Sequence, residues 1–131
     1  MLKHLLIQNY ALIDNLEIEF YQGLNIITGE TGAGKSILLG ALGLILGNRA
    51  ETNVLKDKEK SCVVEGVFDI SSYSLQDFFA ENDLDYEDNT IIRRHISPNG
   101  KSRAFVNELP VNLNVIKDIV SRIIDIHSQH E

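Results

Sequence analysis

The sequence predicts an α/β protein of the P-loop nucleotide-binding class, built on a mixed β-sheet that includes a β-hairpin. Three observations predict this fold: a glycine-rich loop between an apolar strand and an apolar helix, strand-like segments on both sides of that loop, and the hairpin signal Asn99-Gly100. The 131 residues are enough for one domain with a sizeable core. No proline- or glycine-rich linker divides them, so we expect one structural unit over 1–131.

The first 61 residues are expected to hold three strands, a helix and a loop. Segment 16–21 alternates Leu16, Ile18 and Phe20 with two glutamates, which is typical of a half-buried strand. Segment 24–28 is almost entirely apolar, as in strands buried on both faces. The predicted elements are a strand at 4–10, a turn at Asp14-Asn15, strands at 16–21 and 24–28, a buried helix at 35–46 that stops at Gly47-Asn48, and a polar, mobile loop at 48–61.

The second half is expected to hold three more strands and two helices. Ser74 is predicted to cap a short amphipathic helix, and Asn112 or Asn114 a longer one with apolar residues at the helical period. Asn99-Gly100 favours a type I′ turn, in which both central residues have positive φ. The predicted elements are a strand at 62–70, a helix at 74–83, hairpin strands at 90–97 and 102–107, and a helix at 111–124.

Composition limits the classes of function. The formal net charge is −7 and the sequence has no block of lysine and arginine. This chain is therefore not expected to provide the main DNA-binding surface. Cys62 is the single cysteine, which excludes an internal disulfide and favours a buried thiol in a reducing cytoplasm. No apolar run is long enough to span a membrane and no leader peptide is evident, so we expect no membrane partner.

The glycine-rich loop carries the strongest chemical signal. It matches the Walker A pattern G-x-x-x-x-G-K-[ST] at every fixed position. Glycines let backbone N–H groups line a concave nest for phosphate oxygens, and the following helix points its positive end at the same place. Lys35 is expected to reach the β- and γ-phosphates, and the Ser36 hydroxyl to bind Mg²⁺. The predicted nucleotide-binding residues are Gly29, Glu30, Thr31, Gly32, Ala33, Gly34, Lys35 and Ser36. A glycine-rich turn with an exposed lysine is the simpler alternative.

Three stretches resemble the RecN family of bacterial DNA repair proteins, which are relatives of the SMC- and ABC-type ATPases. The stretches are MLKHLLIQNYALIDNLEIEFYQGLNIITGETGAGKSILLGALGLILGNRA (1–50), IIRRHISPNGKSRAFVNELPVNL (91–113) and IIDIHSQHE (123–131). The resemblance implies that 1–131 is the N-terminal lobe of an ABC/SMC-type head. It also implies that the coiled-coil arms and the C-terminal lobe are absent here, and with them the signature motif, Walker B and the catalytic glutamate.

The same resemblance implies partners and a second catalytic residue. Two heads would form a homodimer around ATP and Mg²⁺, and the full-length protein would act on DNA double-strand breaks in repair and recombination, in the cytoplasm with the nucleoid. DNA would be bound through the full-length protein. Gln129 would be the glutamine-loop residue that contacts Mg²⁺ and the attacking water, so Lys35 and Gln129 are the expected catalytic residues. Ser128 stands where the family commonly has glycine, which puts the geometry of that loop in question.

Parts of a hydrolytic site are missing from the sequence. The nearest candidate for Walker B is VVEGVFDI, but Asp69 is followed by Ile70 rather than by an acid, and there is no SGG signature. Phosphoryl transfer needs Mg²⁺ held from two sides and a group that positions water. We therefore expect weak ATP binding and negligible hydrolysis by this chain alone.

Alternatives remain open at this stage. The loop is compatible with a small nucleotide kinase, with a GTPase-like domain, although the guanine motif Asn-Lys-x-Asp is absent, or with a nucleotide-dependent dimerisation switch. Arg49 and Lys56 follow the predicted P-loop helix, where SMC-type proteins carry a basic finger, or are plain surface charge. The cations of the predicted hairpin either form a ridge that faces DNA or a partner protein, or are simply solvated. They are Arg93, Arg94, His95, Lys101 and Arg103.

Overall fold

A computed structural model describes residues 1–20, 32–51 and 53–128 of the chain. Within those residues, six strands form one sheet in the order β2-β1-β3-β4-β5-β6, and every pairing is antiparallel. The elements are β1 (Leu2–Tyr10), β2 (Ile13–Glu19), α1 (Gly32–Ile45), β3 (Cys62–Asp69), α2 (Gln76–Glu81), β4 (Asn89–Ile96), β5 (Ser102–Val106), β6 (Leu109–Val111) and α3 (Leu113–Ser128). The α/β class is confirmed; the predicted strand 24–28 lies outside the described residues.

The core lies between one face of the sheet and the helices. Side chains of β3 and β4 alternate between buried and half-buried, and the buried set of β4 is Thr90, Ile92, Arg94 and Ile96. The buried residues of α3 recur at the helical period, as the sequence predicts; they are Ile116, Ile119, Val120 and Ile123. Burial of a full aliphatic side chain contributes roughly 1.5–3 kcal/mol, so this interface provides much of the stability.

The predicted turn at Asp14-Asn15 is wrong. Both residues lie inside β2, where Asn15 pairs with Gln8 across the strands. The chain turns instead after β1, at Ala11, whose φ is 53° and whose amide donates to the Val54 carbonyl at 2.6 Å. Pairing between β1 and β2 has overridden the local turn preference.

The type I′ turn is present, but at a different hairpin. Asn107 and Glu108 have φ of 49° and 70° and join β5 to β6, a strand that the sequence pattern missed. In the predicted hairpin only Gly100 has positive φ, 89°, and its amide donates to the Ser97 carbonyl at 2.9 Å. Pro98 fixes φ near −65° at the second turn position, which favours a three-residue loop that ends in a left-handed glycine.

The two predicted helix caps differ in outcome. Asn112 caps α3, because its Oδ1 accepts from the Val115 amide at 3.2 Å. Ser74 does not cap α2: the residue before that helix is Leu75, with no side-chain capping bond, and Ser74 itself has φ of 56°.

The polar loop between α1 and β3 is anchored to the sheet where it is described. Asn9, which is 8% exposed, accepts from the Asp57 amide at 2.7 Å and donates to the carbonyls of Asp57, Lys60 and Ser61 at 3.0–3.3 Å. Leu55 is buried beside it. The expectation of a mobile loop did not anticipate this anchoring by one asparagine.

Candidate nucleotide-binding site

The glycine-rich motif leads directly into α1. The helix begins at Gly32, inside the motif, and its first turn contains no acidic residue. Lys35 and Ser36 are exposed on that turn. A helix N-terminus carries partial positive charge and N–H groups that its own turns do not use, so this end favours an anion. Gly29, Glu30 and Thr31 lie outside the described residues.

Close contacts with the sheet fix the position of α1. A Cβ placed on Gly66 of β3 would lie 2.5 Å from Cδ1 of Ile45, so glycine here lets this side chain of the helix lie directly against the strand. On the helix, a Cβ at Gly40 would lie 2.5 Å from the Tyr10 hydroxyl oxygen. The contact at Gly40 accounts for a glycine inside the helix, where glycine otherwise costs about 1 kcal/mol.

The C-terminal end of α1 is held by a buried arginine. Gly47, with φ of 106°, ends the helix, and the Asn48 amide donates to the Gly43 carbonyl at 3.0 Å. Arg94 donates through Nη1 to the carbonyls of Leu44 at 2.8 Å and Asn48 at 2.7 Å. A cation at this end of a helix also interacts favourably with the helix dipole.

Arg94 therefore does not belong to a surface ridge, and that expectation is wrong for this residue. Its side chain is only 1% exposed, Nη2 donates to Ser102 Oγ at 2.5 Å, and burial lowers the pKa of the guanidinium. Nearby, burial raises the pKa of Cys62 to about 11, so the thiol stays protonated as the sequence-based interpretation of a buried cysteine implies. Arg93, on the opposite face of β4, lies over the Phe105 ring at 4.4 Å.

The two basic residues after α1 lie in different surroundings. Lys56 Nζ is 2.6 Å from Asp14 Oδ1, so an ion pair holds this side chain against β2. Arg49 is exposed beyond the C-terminal end of the helix. A 14-residue helix is about 21 Å long, which places Arg49 far from the phosphate end of its own chain.

Further site features are only partly described. Gln129 lies outside the described residues, and α3 ends at Ser128 just before it. The described residues contain no cluster of three His, Cys, Asp or Glu side chains that could hold a metal ion. One side of α1 is apolar and open: Leu39 is 50% exposed, and Leu38, Leu42 and Leu46 are half-buried. The prediction of a buried helix therefore holds for the side that includes Ala41, Leu44 and Ile45 and fails on the side of Leu39.

Comparison with known proteins gives consistent results. A family model described as an AAA domain matches residues 4–130. The DNA repair protein RecN of Xylella fastidiosa (strain Temecula1) is 38% identical over the whole chain, and that of a Synechocystis species is 46% identical over 98% of it. The chain spans about a quarter of the length of these relatives, 24% and 23%.

Solved structures share the fold. A structure from work on ATP-driven dimerization and DNA-stimulated activation of SMC ATPases superposes with a TM-score of 0.74, covering 94% of this chain and 79% of that chain at 21% identity. A structure of the recombination mediator RecF with ATP gives a TM-score of 0.64, covering 92% of this chain and 30% of that chain at 22% identity. No helix among the described residues is long and apolar enough to cross a membrane.

Proposed function

The chain belongs to the AAA domain family, and from this premise we propose that it is the N-terminal, ATP-binding lobe of a RecN-type ATPase head that acts in DNA double-strand break repair and recombination. We place the full-length protein in the bacterial cytoplasm, associated with the nucleoid. The matched relatives are DNA repair proteins, which favours this function over a small kinase or a GTPase-like domain.

One observation carries the proposal: α1 begins inside the Walker A motif, without an acid in its first turn, and is held rigidly at its other end. A polyphosphate needs N–H donors and positive charge that are oriented before it arrives, since ordering them on binding would cost affinity. The contacts of Gly40 and Gly66 and the bonds of Arg94 provide that orientation. Lys35 and Ser36 are exposed where the phosphates would lie.

The residues present fit ATP with Mg²⁺, and each has a distinct role. The backbone of residues 29–34 would surround the β-phosphate, and Lys35 would neutralise the β- and γ-phosphate oxygens. The Ser36 hydroxyl would provide one Mg²⁺ ligand, and Gln129 would approach the metal and the attacking water from α3. Mg²⁺ supplies the positive charge that offsets the charge developing on the transferred phosphoryl group.

The lobe is incomplete for hydrolysis, and its structure suggests where the remainder lies. We propose that the C-terminal lobe of the same protein packs on the open side of α1 around Leu39, because relatives are about four times as long as this chain. Replacing Leu39 with glutamate is expected to lower the stability of the full-length head by roughly 2–4 kcal/mol, because a charge would enter an apolar interface.

Leu12 provides a matched control for this prediction, since it is 77% exposed on the β1–β2 turn. Leu12→Glu should leave the thermal unfolding temperature of the full-length protein unchanged, whereas Leu39→Glu should lower it by several degrees. Equal behaviour of the two variants would mean that the α1 side stays in solvent, and the two-lobe arrangement would be wrong.

The function itself is tested by nucleotide-dependent association of the full-length protein. Mg²⁺-ATP, and not Mg²⁺-GTP, is expected to bind in calorimetry and to convert monomeric heads to dimers in size-exclusion chromatography with light scattering. The isolated chain should bind ATP more weakly and show negligible turnover, because the second lobe completes the site. Absence of ATP binding by the full-length protein, or equal binding of GTP, would contradict the proposal.

A further inference from the structure

A cavity of about 510 Å³ lies at the free end of β5, far from the Walker A motif along α1. Strand β6 pairs with β5 only from Ala104 onward, and the chain then leaves the sheet to begin α3. The space beyond the β6 pairing is closed by the segment after α1 on one side and by the start of α3 on the other. We call this space the β5-edge cavity; it is lined by Arg49, Ala50, Arg94, Ser102, Arg103, Ala104, Phe105, Pro110, Val111, Asn112 and Leu113.

The charged residues that line the β5-edge cavity are all positive. The lining contains three arginines and no carboxylate, although the chain as a whole has a net charge of −7. Arg94 donates to the carbonyls of α1, whereas Arg49 and Arg103 are exposed and have no ion-pair or hydrogen-bond partner among the described residues. Like charges placed around one cavity repel each other, and an anion between them removes that repulsion.

Two further observations point to an anion. The first turn of α3 starts at the cavity wall and contains no acidic residue, so its partial positive charge is not offset locally. In addition, Arg94 is almost fully buried at the cavity wall, and its Nε, like that of Arg93 on the opposite face of β4, has no hydrogen-bond partner among the described residues. Buried guanidinium groups with an unused donor are rare unless a partner is supplied from outside.

The surroundings favour a linear polyanion over a small one. Residues 89–107, which form the β4–β5 hairpin, include Arg93, Arg94, Lys101 and Arg103 and no aspartate or glutamate. Lys101 is exposed at the end of this hairpin, beside the cavity. Arg93 lies on the opposite face of β4 and Arg94 is buried, so the exposed cations that continue from the cavity are Lys101 and Arg103. Two successive cations fit a chain of phosphates better than a single small ion.

We propose that the β5-edge cavity binds a backbone phosphate of duplex DNA through Arg49 and Arg103, with Arg94 and the start of α3 contributing positive potential. The inference rests on the proposed function in DNA repair, and it assigns to this lobe a DNA contact that the net charge alone argues against. The contact reads no sequence, because arginines on phosphates fix position rather than base identity.

The test uses the full-length protein and a fluorescein-labelled DNA duplex of random sequence, with anisotropy measured between 50 and 200 mM salt. The double variant Arg49→Gln/Arg103→Gln is compared with Lys58→Gln/Lys60→Gln, which removes two exposed cations from the loop after α1. We expect the arginine variant to bind DNA about ten-fold more weakly and to reduce the slope of log K against log salt by about 2, whereas the lysine variant changes little.

Controls separate this inference from the proposed function. Binding of Mg²⁺-ATP should be unchanged in the arginine variant, since both residues are remote from the Walker A motif. If the wild-type protein does not bind ATP, the proposed function is wrong, whatever the DNA measurements give. Equal loss of DNA affinity in both double variants would overturn the cavity as a site. An unchanged DNA affinity of the arginine variant would also overturn the cavity as a DNA site. This conclusion would hold even if inorganic phosphate or ATP alone protected Arg49 and Arg103 from modification by phenylglyoxal.

Discussion

Replacing Lys35 with alanine is expected to weaken binding of Mg²⁺-ATP by about 100-fold, or about 2.7 kcal/mol, in the full-length protein. Hydrogen bonds to charged groups are worth roughly 1.5–3 kcal/mol, and Lys35 is placed to donate to two phosphates. The same variant should lose ATP hydrolysis and ATP-dependent dimerisation, because the charge that stabilises the transferred group is removed.

The thermal stability of the nucleotide-free protein should not change in Lys35→Ala. Lys35 is exposed and has no hydrogen bond or ion pair with the described residues, so its truncation removes no bond within that part of the folded chain. Lys58→Ala is the matched control, since it removes the same charge from an exposed position in the loop after α1. Wild-type affinity in Lys35→Ala, or an equal loss in Lys58→Ala, would show that the motif does not bind the phosphates.

Most of the fold could be predicted because the signals were periodic and local. Strands β1, β3, β4 and β5 alternate or are continuously apolar, α3 repeats at 3.6 residues, and α1 follows from the motif that precedes it. The start of the nucleotide site was likewise visible in the sequence, because glycine spacing and a lysine are themselves the binding chemistry. These elements needed no information about distant residues.

The turns were harder because tertiary contacts decide them. Asp14-Asn15 has the composition of a turn, yet Gln8 Nε2 donates to Asn15 Oδ1 at 3.2 Å and Asp14 pairs with Lys56, so both residues are used within the sheet. The left-handed Asn107 is compensated by its own side chain, whose Oδ1 accepts from the Ile91 amide at 2.9 Å. Lys56 is 42 residues from Asp14 and Ile91 is 16 residues from Asn107, so local turn preferences could not identify these positions.

The sequence interpretation missed the role of Arg94, although the alternating pattern of β4 already indicates that this side chain is buried. It stands between Ile92 and Ile96 in an alternating strand, so its side chain is directed to the buried face. An arginine at such a position needs hydrogen-bond acceptors on the buried side of the sheet. What the sequence could not give was their identity, since the carbonyls of Leu44 and Asn48 lie 50 and 46 residues away.

Arg94→Met is therefore expected to destabilise the head by about 3 kcal/mol. Methionine nearly fills the volume but cannot donate, so the Asn48 carbonyl and the Ser102 hydroxyl would lose a part-buried donor, and the buried Leu44 carbonyl would keep only the Gly47 amide at 3.3 Å. Each unsatisfied acceptor costs roughly 1–3 kcal/mol. Removing the buried guanidinium also removes its desolvation penalty, which stabilises the variant in part. The loss of three hydrogen bonds is expected to be the larger of the two effects.

Arg93→Met is the matched control, since it makes the same change one residue away on the other face of β4. Arg93 stacks on Phe105 and has no hydrogen bond to the described residues, so its loss should cost about 0.5–1 kcal/mol. Thermal unfolding of the full-length protein should give a fall of roughly 10 °C for Arg94→Met and at most a few degrees for Arg93→Met.

Hydrogen exchange distinguishes a local loss of the bonds from Arg94 to the C-terminal end of α1 from a general loss of stability. Without Arg94, amides of the last turn of α1 and of Gly47 and Asn48 should exchange faster than those of β1, because the bonds that hold the helix end to β4 are gone. ATP affinity should fall at the same time. When the C-terminal end of α1 is no longer bonded to β4, its N-terminal end is less precisely oriented toward the phosphates. Uniform acceleration with unchanged ATP affinity would mean that Arg94 stabilises the core without orienting the nucleotide loop.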